Sequence, residues 1–179
     1  MRDPLPFAAL VAAVALTFAP ARAGDWITDP NAACAVWNPA PTDGEKIVYE
    51  GECENGRAHG TGRVKWFVDN KLASIYRGEY RGGRMHGRGV LMFPDGSRYE
   101  GEFRSGNRHG RGSRTWPNGD YFVGEYRRGR RHGPGVMDYG DGLRFEGEYR
   151  DGKPHGEGGC YTPARGQWAC RWENGKLVE

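Results

Sequence analysis

Strict alternation of side-chain character governs this chain from residue 49 onward. Tyr76, Gly78 and Tyr80 alternate with Arg77, Glu79 and Arg81; further on, Gly87, Gly89, Leu91 and Phe93 alternate with Arg88, Val90 and Met92. A period of two predicts strands with one aromatic-and-glycine face and one charged face. Gly82-Gly83 separates the two strands, and Pro94-Asp95-Gly96 closes the second. That tripeptide suits a three-residue hairpin loop, since proline presets φ for a type I turn and glycine takes the left-handed bulge position.

The unit recurs. Copies start at Tyr49, Tyr76, Tyr99, Phe122, Phe145 and Trp168, at steps of 27, 23, 23, 23 and 23 residues. Gly-Glu follows at Gly51, Gly78, Gly101, Gly124 and Gly147. A second aromatic stands at Tyr80, Phe103, Tyr126, Tyr149 and Trp172, with Cys53 in that place in the first copy. His-Gly-x-Gly recurs at His59, His86, His109, His132 and His155. A fixed period in this range is the signature of a repeat architecture. The expected fold is all-β: a single-layer antiparallel array of β-hairpins, an elongated twisted ribbon of five repeats plus a terminal half-repeat. The regular glycines have a steric reading, because without a Cβ they let neighbouring rings lie over the backbone.

The run Tyr-Glu-Gly-Glu-Phe-Arg-Ser-Gly-Asn-Arg-His-Gly-Arg-Gly from Tyr99, closed by Pro117-Asn118-Gly119, resembles the MORN repeat (membrane occupation and recognition nexus). The resemblance covers residues 49–179. It implies a single-layer twisted β-ribbon with an aromatic-lined groove that accepts an amphipathic helix or extended segment.

Composition fits a thin fold. Thirty glycines and 27% charged residues leave too little apolar side chain for a thick core, whereas a repeat sheet needs less. Residues 1–23 read as a secretory signal: Phe7 to Ala19 is uncharged and mainly apolar, and Ala21-Arg22-Ala23 fits a small-x-small cleavage site. The run is shorter than the ~20 apolar residues of a membrane span. Residues 24–48 are too short for an enzyme domain and read as an N-terminal cap over the exposed strand edge. Their Cys34-x-x-Trp37-Asn38-Pro39 opening resembles bacterial MORN-like proteins. In the first copy, Trp66 to Ile75 replaces the compact turn and predicts a longer loop with Phe67, Val68 and Leu72 at its tip, which either packs against the cap, the favoured reading, or contacts a partner. The last copy stops as a half-repeat.

Four cysteines in an exported chain permit three pairings. Cys160 and Cys170 fall on the aromatic-glycine face of strands flanking the Pro163–Gly166 turn, close to bridging distance. Cys53 lies four hairpins away, which leaves Cys34 as its partner. The pairs 34–53 and 160–170 would staple both ends of the array.

No catalytic or cofactor site is expected. Equivalent histidines in successive hairpins lie two strands apart, about 9–10 Å, too far to share a zinc ion. The same spacing separates Glu52, Glu79, Glu102, Glu125 and Glu148, which are expected to pair with Arg and Lys on the charged face. The chain carries no nucleophile elbow, phosphate loop or His-Glu-x-x-His, and no helical pattern follows its Gly-x-Gly.

Two surfaces are candidate binding sites. The first is the aromatic-glycine face, where Tyr76, Tyr80, Tyr99, Phe103, Phe122, Tyr126, Phe145 and Tyr149 are expected to leave an exposed apolar groove. The second is a basic rim of Arg104, Arg108, Arg111, Arg127, Arg128, Arg130 and Arg131, suited to anionic lipid or an acidic partner, although a solvated edge that blocks edge-to-edge pairing is the favoured account of it. Nucleic acid fits poorly, since acids are interleaved throughout. The favoured function is a non-catalytic, exported protein-binding or scaffold module, periplasmic or secreted. Binding to a membrane surface is the alternative, and a second copy of the chain is a further candidate partner.

Intact-mass measurement of protein recovered from the cell envelope should give a chain starting at Gly24. A species that retains residues 1–23 would contradict the cleavage reading.

Overall fold

The computed structural model describes residues 24–178; the expected signal at residues 1–23 lies outside them. The described chain forms one open 14-stranded sheet without a helix. Strands β1 (Asp25–Asp29) and β2 (Cys34–Asn38) form an N-terminal hairpin. Then come β3 (Glu45–Glu54), β4 (Arg57–Val68), β5 (Lys71–Arg81), β6 (Arg84–Met92), β7 (Arg98–Arg104) and β8 (Asn107–Thr115). The chain continues through β9 (Tyr121–Arg127), β10 (Arg130–Asp138), β11 (Arg144–Arg150), β12 (Lys153–Thr162), β13 (Gly166–Glu173) and β14 (Lys176–Leu177). From β3 onward each strand pairs antiparallel with the next.

Two kinds of connection alternate along the array. Ser105-Gly106 and Arg128-Gly129 are two-residue bends in which both residues have positive φ (52° and 87°, 52° and 82°), the geometry that matches strand twist. At the opposite edge, Phe93 N–H donates to Ser97 O and Gly96 N–H to Phe93 O, both at 3.0 Å, with Gly96 at φ +89°. This is the expected three-residue loop. The first copy differs from expectation. Its four extra residues lengthen β4 and β5, and Asp69-Asn70 closes them as a two-residue turn with both φ positive. Strand pairing runs to Glu45↔Val68, so hydrogen bonding of extended backbone takes up the insertion that was expected to loop out.

The rings show that the hairpins curl. Four residues of extended strand span about 13 Å, yet the Tyr76 and Tyr80 ring centroids are 5.2 Å apart, as are those of Tyr99 and Phe103. Register shifts at Gly78/Glu79 and Gly101/Phe103 mark where the strand turns in on itself. At the same place the Tyr76 hydroxyl donates to Glu79 O at 3.0 Å, and that of Tyr99 to Glu102 O at 3.0 Å. On the convex side, the Glu79 carboxylate accepts from Arg88 N–H at 2.8 Å and Glu102 from Arg111 N–H at 3.0 Å. These two repeated glutamates therefore brace the bulge through the backbone instead of pairing with Arg and Lys as expected. Unpaired amides at a bulge attract a carboxylate more strongly than a mobile surface cation does.

The concave side holds the core. A continuous edge-to-face or tilted series runs Tyr49, Tyr80, Tyr76, Phe103, Tyr99, Tyr126, Phe122, Tyr149, Phe145, Trp172, with centroids 4.9–5.7 Å apart. From the second copy to the fifth, each ring of the second repeat position (Tyr80, Phe103, Tyr126, Tyr149) wedges between first-position rings of two copies. The first-position ring covers two facing glycines, and a Cβ on Gly89 would meet the Tyr76 ring and hydroxyl at 2.5 Å.

Both expected cysteine pairs are present. Disulfides link Cys34 to Cys53 and Cys160 to Cys170, with Cα separations of 6.0 and 5.7 Å. At the edge strand β3, the buried Asp29 carboxylate accepts from Tyr49 N–H at 2.7 Å, and that bond holds its pKa below the usual range. Strand β2 runs across the bends: Ala35 N–H donates to Gly56 O and Trp37 N–H to Gly83 O. The next alternate residue is Pro39, which has no N–H and lies against Gly106, so this ladder stops at the third bend.

Gly89→Ala should cost about 1–3 kcal/mol in urea unfolding by forcing the Tyr76 ring away. Gly159→Ala, whose Cβ would meet only Gln167 at 3.7 Å, should stay within about 0.5 kcal/mol of the parent. Equal losses at the two sites would remove the ring-over-glycine account.

Candidate functional site

The eight ring positions expected to form an exposed groove are buried. Tyr76, Tyr99, Phe122 and Phe145 are 0% exposed, and Tyr80, Phe103, Tyr126 and Tyr149 are at most 4% exposed. The curl explains the difference, because folding each strand onto itself turns a strip into a packed seam. These rings are the floor of the concavity and leave no free apolar surface of their own.

The walls come from residues outside the eight expected groove positions. Along one edge stand Phe93, Trp116 and Tyr139, each the residue before a turn and 23 positions after the last. All three are half-buried, and Trp116 and Tyr139 pack against the ring core. The same 23-residue spacing would have revealed this row. Along the other edge stand Arg108 and Arg131. Arg108 donates to Gly129 O at 2.9 Å and lies 5.7 and 5.6 Å from the Tyr99 and Tyr126 ring centres. Arg131 donates to Gly152 O at 3.1 and 2.7 Å and lies 5.4 Å from both Phe122 and Tyr149. It also sits 5.9 Å from Trp116, so the two walls meet across the floor.

The arginine position changes character along the array. Its equivalents in the first two copies are Ala58 and Met85, buried in the core cluster that also contains Cys34 and Val36 of the N-terminal hairpin. Arg57 and Arg84 instead stack on the hairpin's Trp26 and Trp37 at 4.4 and 4.2 Å. Where the hairpin covers the array, the position is apolar; the third and fourth copies carry arginine, and the fifth returns to a buried apolar residue, Pro154.

The expected rim of seven arginines therefore divides three ways. Arg108 and Arg131 line the concave side, and Arg111 borders a shallow cleft on the opposite, charged face with Glu125, Glu146 and Glu148. Arg104, Arg127, Arg128 and Arg130 remain together. With Ser105, Asn107, His109 and Asp151 they line a polar cleft of about 1020 Å³ at the bends. None of these four makes an ion pair among the described residues. Period-2 counting assigns a face but not the side of a curl, which is why the seven looked alike.

Among the described residues no group of three or more His, Cys, Asp or Glu could hold a metal ion, and no helix is long and apolar enough to cross a membrane. His59 pairs with Glu54 at 2.9 Å, at the surface of the first bend.

Burial, the largest influence, pushes the hydroxyls of Tyr76, Tyr80, Tyr99, Tyr126 and Tyr149 above their ordinary pKa of 10.0; Arg108 pulls Tyr99 and Tyr126 partly back. A group whose folded pKa is raised keeps the fold stable below its unfolded pKa and withdraws that support above it. Stability should therefore fall as pH rises past about 10. Absorbance at 295 nm and loss of the sheet signal in circular dichroism should rise together, and ionisation of the core tyrosines within an intact fold would contradict the packing.

The family model for the MORN repeat matches residues 49–68, 76–98, 99–121, 122–144 and 145–163. A comparison with curated proteins finds no match.

Proposed function

The chain belongs to the MORN repeat family, whose repeats serve as protein- and membrane-binding modules, and we propose that it is a non-catalytic scaffold that holds a segment of a partner protein in its concave groove. The observation that carries this reading is the half-buried row Phe93, Trp116 and Tyr139, standing over a closed ring floor with no second layer across it among the described residues. A single-layer sheet has nothing else with which to cover that row, and apolar surface flanked by cations suits an amphipathic or acidic segment. The floor rings shape the groove and the wall residues make the contacts. The two disulfides support an oxidising compartment. With the apolar N-terminal run they favour export to the periplasm or outside the cell.

A second reading rests on the bend cleft. Four exposed arginines without ion pairs suit an anionic lipid surface, with steep salt dependence.

Capture from a native envelope extract, using folded variants checked by circular dichroism, separates the two. Trp116→Ala should lower recovery of the captured protein about tenfold or more, in keeping with loss of a large aromatic contact. Arg128→Glu should leave recovery unchanged at moderate salt. The reverse pattern, with Arg128→Glu also abolishing binding to phosphatidylglycerol vesicles, would overturn the groove in favour of the bends.

A further inference from the structure

One concave position breaks the repeat. Strand register aligns Tyr49, Val64, Tyr76, Leu91, Tyr99, Arg114, Phe122, Met137, Phe145, Cys160 and Trp168 in a single row across the sheet. At the second-strand positions of this row stand Val64, Leu91, Met137 and Cys160, and in the third copy Arg114. It is the one charged member. Arg114 lies between Tyr99 and Phe122, the two rings against which Tyr126 packs at 5.0 and 5.5 Å. Its guanidinium is half-buried, 4.6 Å from the centre of Trp116 and 5.9 Å from Phe93, and its Nε has no hydrogen-bond partner. The buried hydroxyl of Tyr126 has none either, as is also true of Tyr80 and Tyr149 at the same repeat position, but only Tyr126 has the row's charged residue beside the rings it packs on.

Arg108 reaches the same Tyr126 ring, and Arg131, on the same wall one copy further on, reaches the same Trp116 ring across the floor. Three cations thus surround one unpartnered phenol. No carboxylate forms an ion pair with any of them among the described residues. The Asp95 carboxylate, which adds a weaker attraction to Arg114, already accepts from Ser97 N–H at 2.8 Å. Burial, then Arg108, press the Arg114 guanidinium below its ordinary pKa, so the arrangement disfavours its own charge. The repeat offers apolar residues at this position in four other copies. A half-buried cation kept here instead is explained by an anion that completes it.

We propose that the third and fourth copies build a carboxylate-binding site, with Arg108, Arg114 and Arg131 around the Tyr126 hydroxyl, that receives an acidic side chain of an extended partner peptide. This deepens the groove reading and rests on it. The carboxylate accepts from the free N–H groups of Arg114 and from the Tyr126 hydroxyl, and the flanking face of Trp116 takes the apolar part of the same segment. A peptide is favoured over a lipid headgroup by position. Arg114 rises from the floor of a curled sheet, between two walls, where a flat bilayer surface does not reach; the arginines open to such a surface are those at the bends.

The test pans a random linear peptide library against the disulfide-bonded mature chain and against Arg114→Met, a residue that the fold already accepts at Met137. Enriched peptides should carry Asp or Glu beside an apolar residue. Arg114→Met should weaken the best of them about tenfold or more, and changing its acid to the amide should do the same to the parent protein. The two changes together should cost little more than one, which marks direct coupling. Arg114→Met should melt no lower than the parent. Enrichment of peptides without an acid overturns the carboxylate site and leaves the groove standing, whereas no enrichment at all removes both. A variant that melts lower and loses acidic and amide peptides alike assigns Arg114 a structural role and overturns the proposal. So does loss of binding to inorganic phosphate or phosphatidylglycerol vesicles while peptide binding persists.

Discussion

Edge-to-face contact between rings of neighbouring copies is the interaction on which this protein depends. Tyr80, Phe103, Tyr126 and Tyr149 each sit against two first-position rings, their own and that of the copy before. Such pairs contribute about 0.5–1.5 kcal/mol each beyond the area that they bury. Because each contact joins adjacent units, stability is shared along the array and no copy is secure alone. The geometry is demanding. Rings can reach one another only if the strand curls, and it curls only where glycines leave room for a ring to lie flat on the backbone.

Burying the rings has a price in options for recognition. A flat ribbon could use its aromatic face directly, but a curled one closes that face and must present something else. Here the turn-edge aromatics and the bend-edge arginines are brought towards each other, as the contact between Arg131 and Trp116 shows. A repeat that is almost uniform in its core therefore carries its individuality in the walls, at positions where successive copies differ most.

Much of the fold was legible because it rests on local rules. Alternation gave strands, Pro-Asp-Gly gave the three-residue loop, and the cysteine faces gave both staples. The curl was not legible. Nothing in a period of two distinguishes an extended strand from one that folds back at Gly78, so Tyr76 and Tyr80 looked like two exposed rings and are one buried pair. Residues on the charged side fared similarly. Glu79 and Glu102 resemble salt-bridge partners until the bulge amides that they bind are in place. The insertion near Asp69 predicts a loop because its turn lacks the Pro and Gly of the others, although two residues at positive φ turn the chain as tightly.

Pro39 sets a boundary. Strand β2 could bond along an indefinite row of bends, since every copy presents the same carbonyl, but its donors end after Trp37. The hairpin therefore occupies a fixed length at one terminus, while the opposite terminus carries its own staple. From Tyr76 to Trp168 the copies follow one another at a constant 23-residue step. Gaining or losing a copy would alter the reach of the open trough without redesigning either closure, so gene duplication within this segment acts on the molecule as a length adjustment.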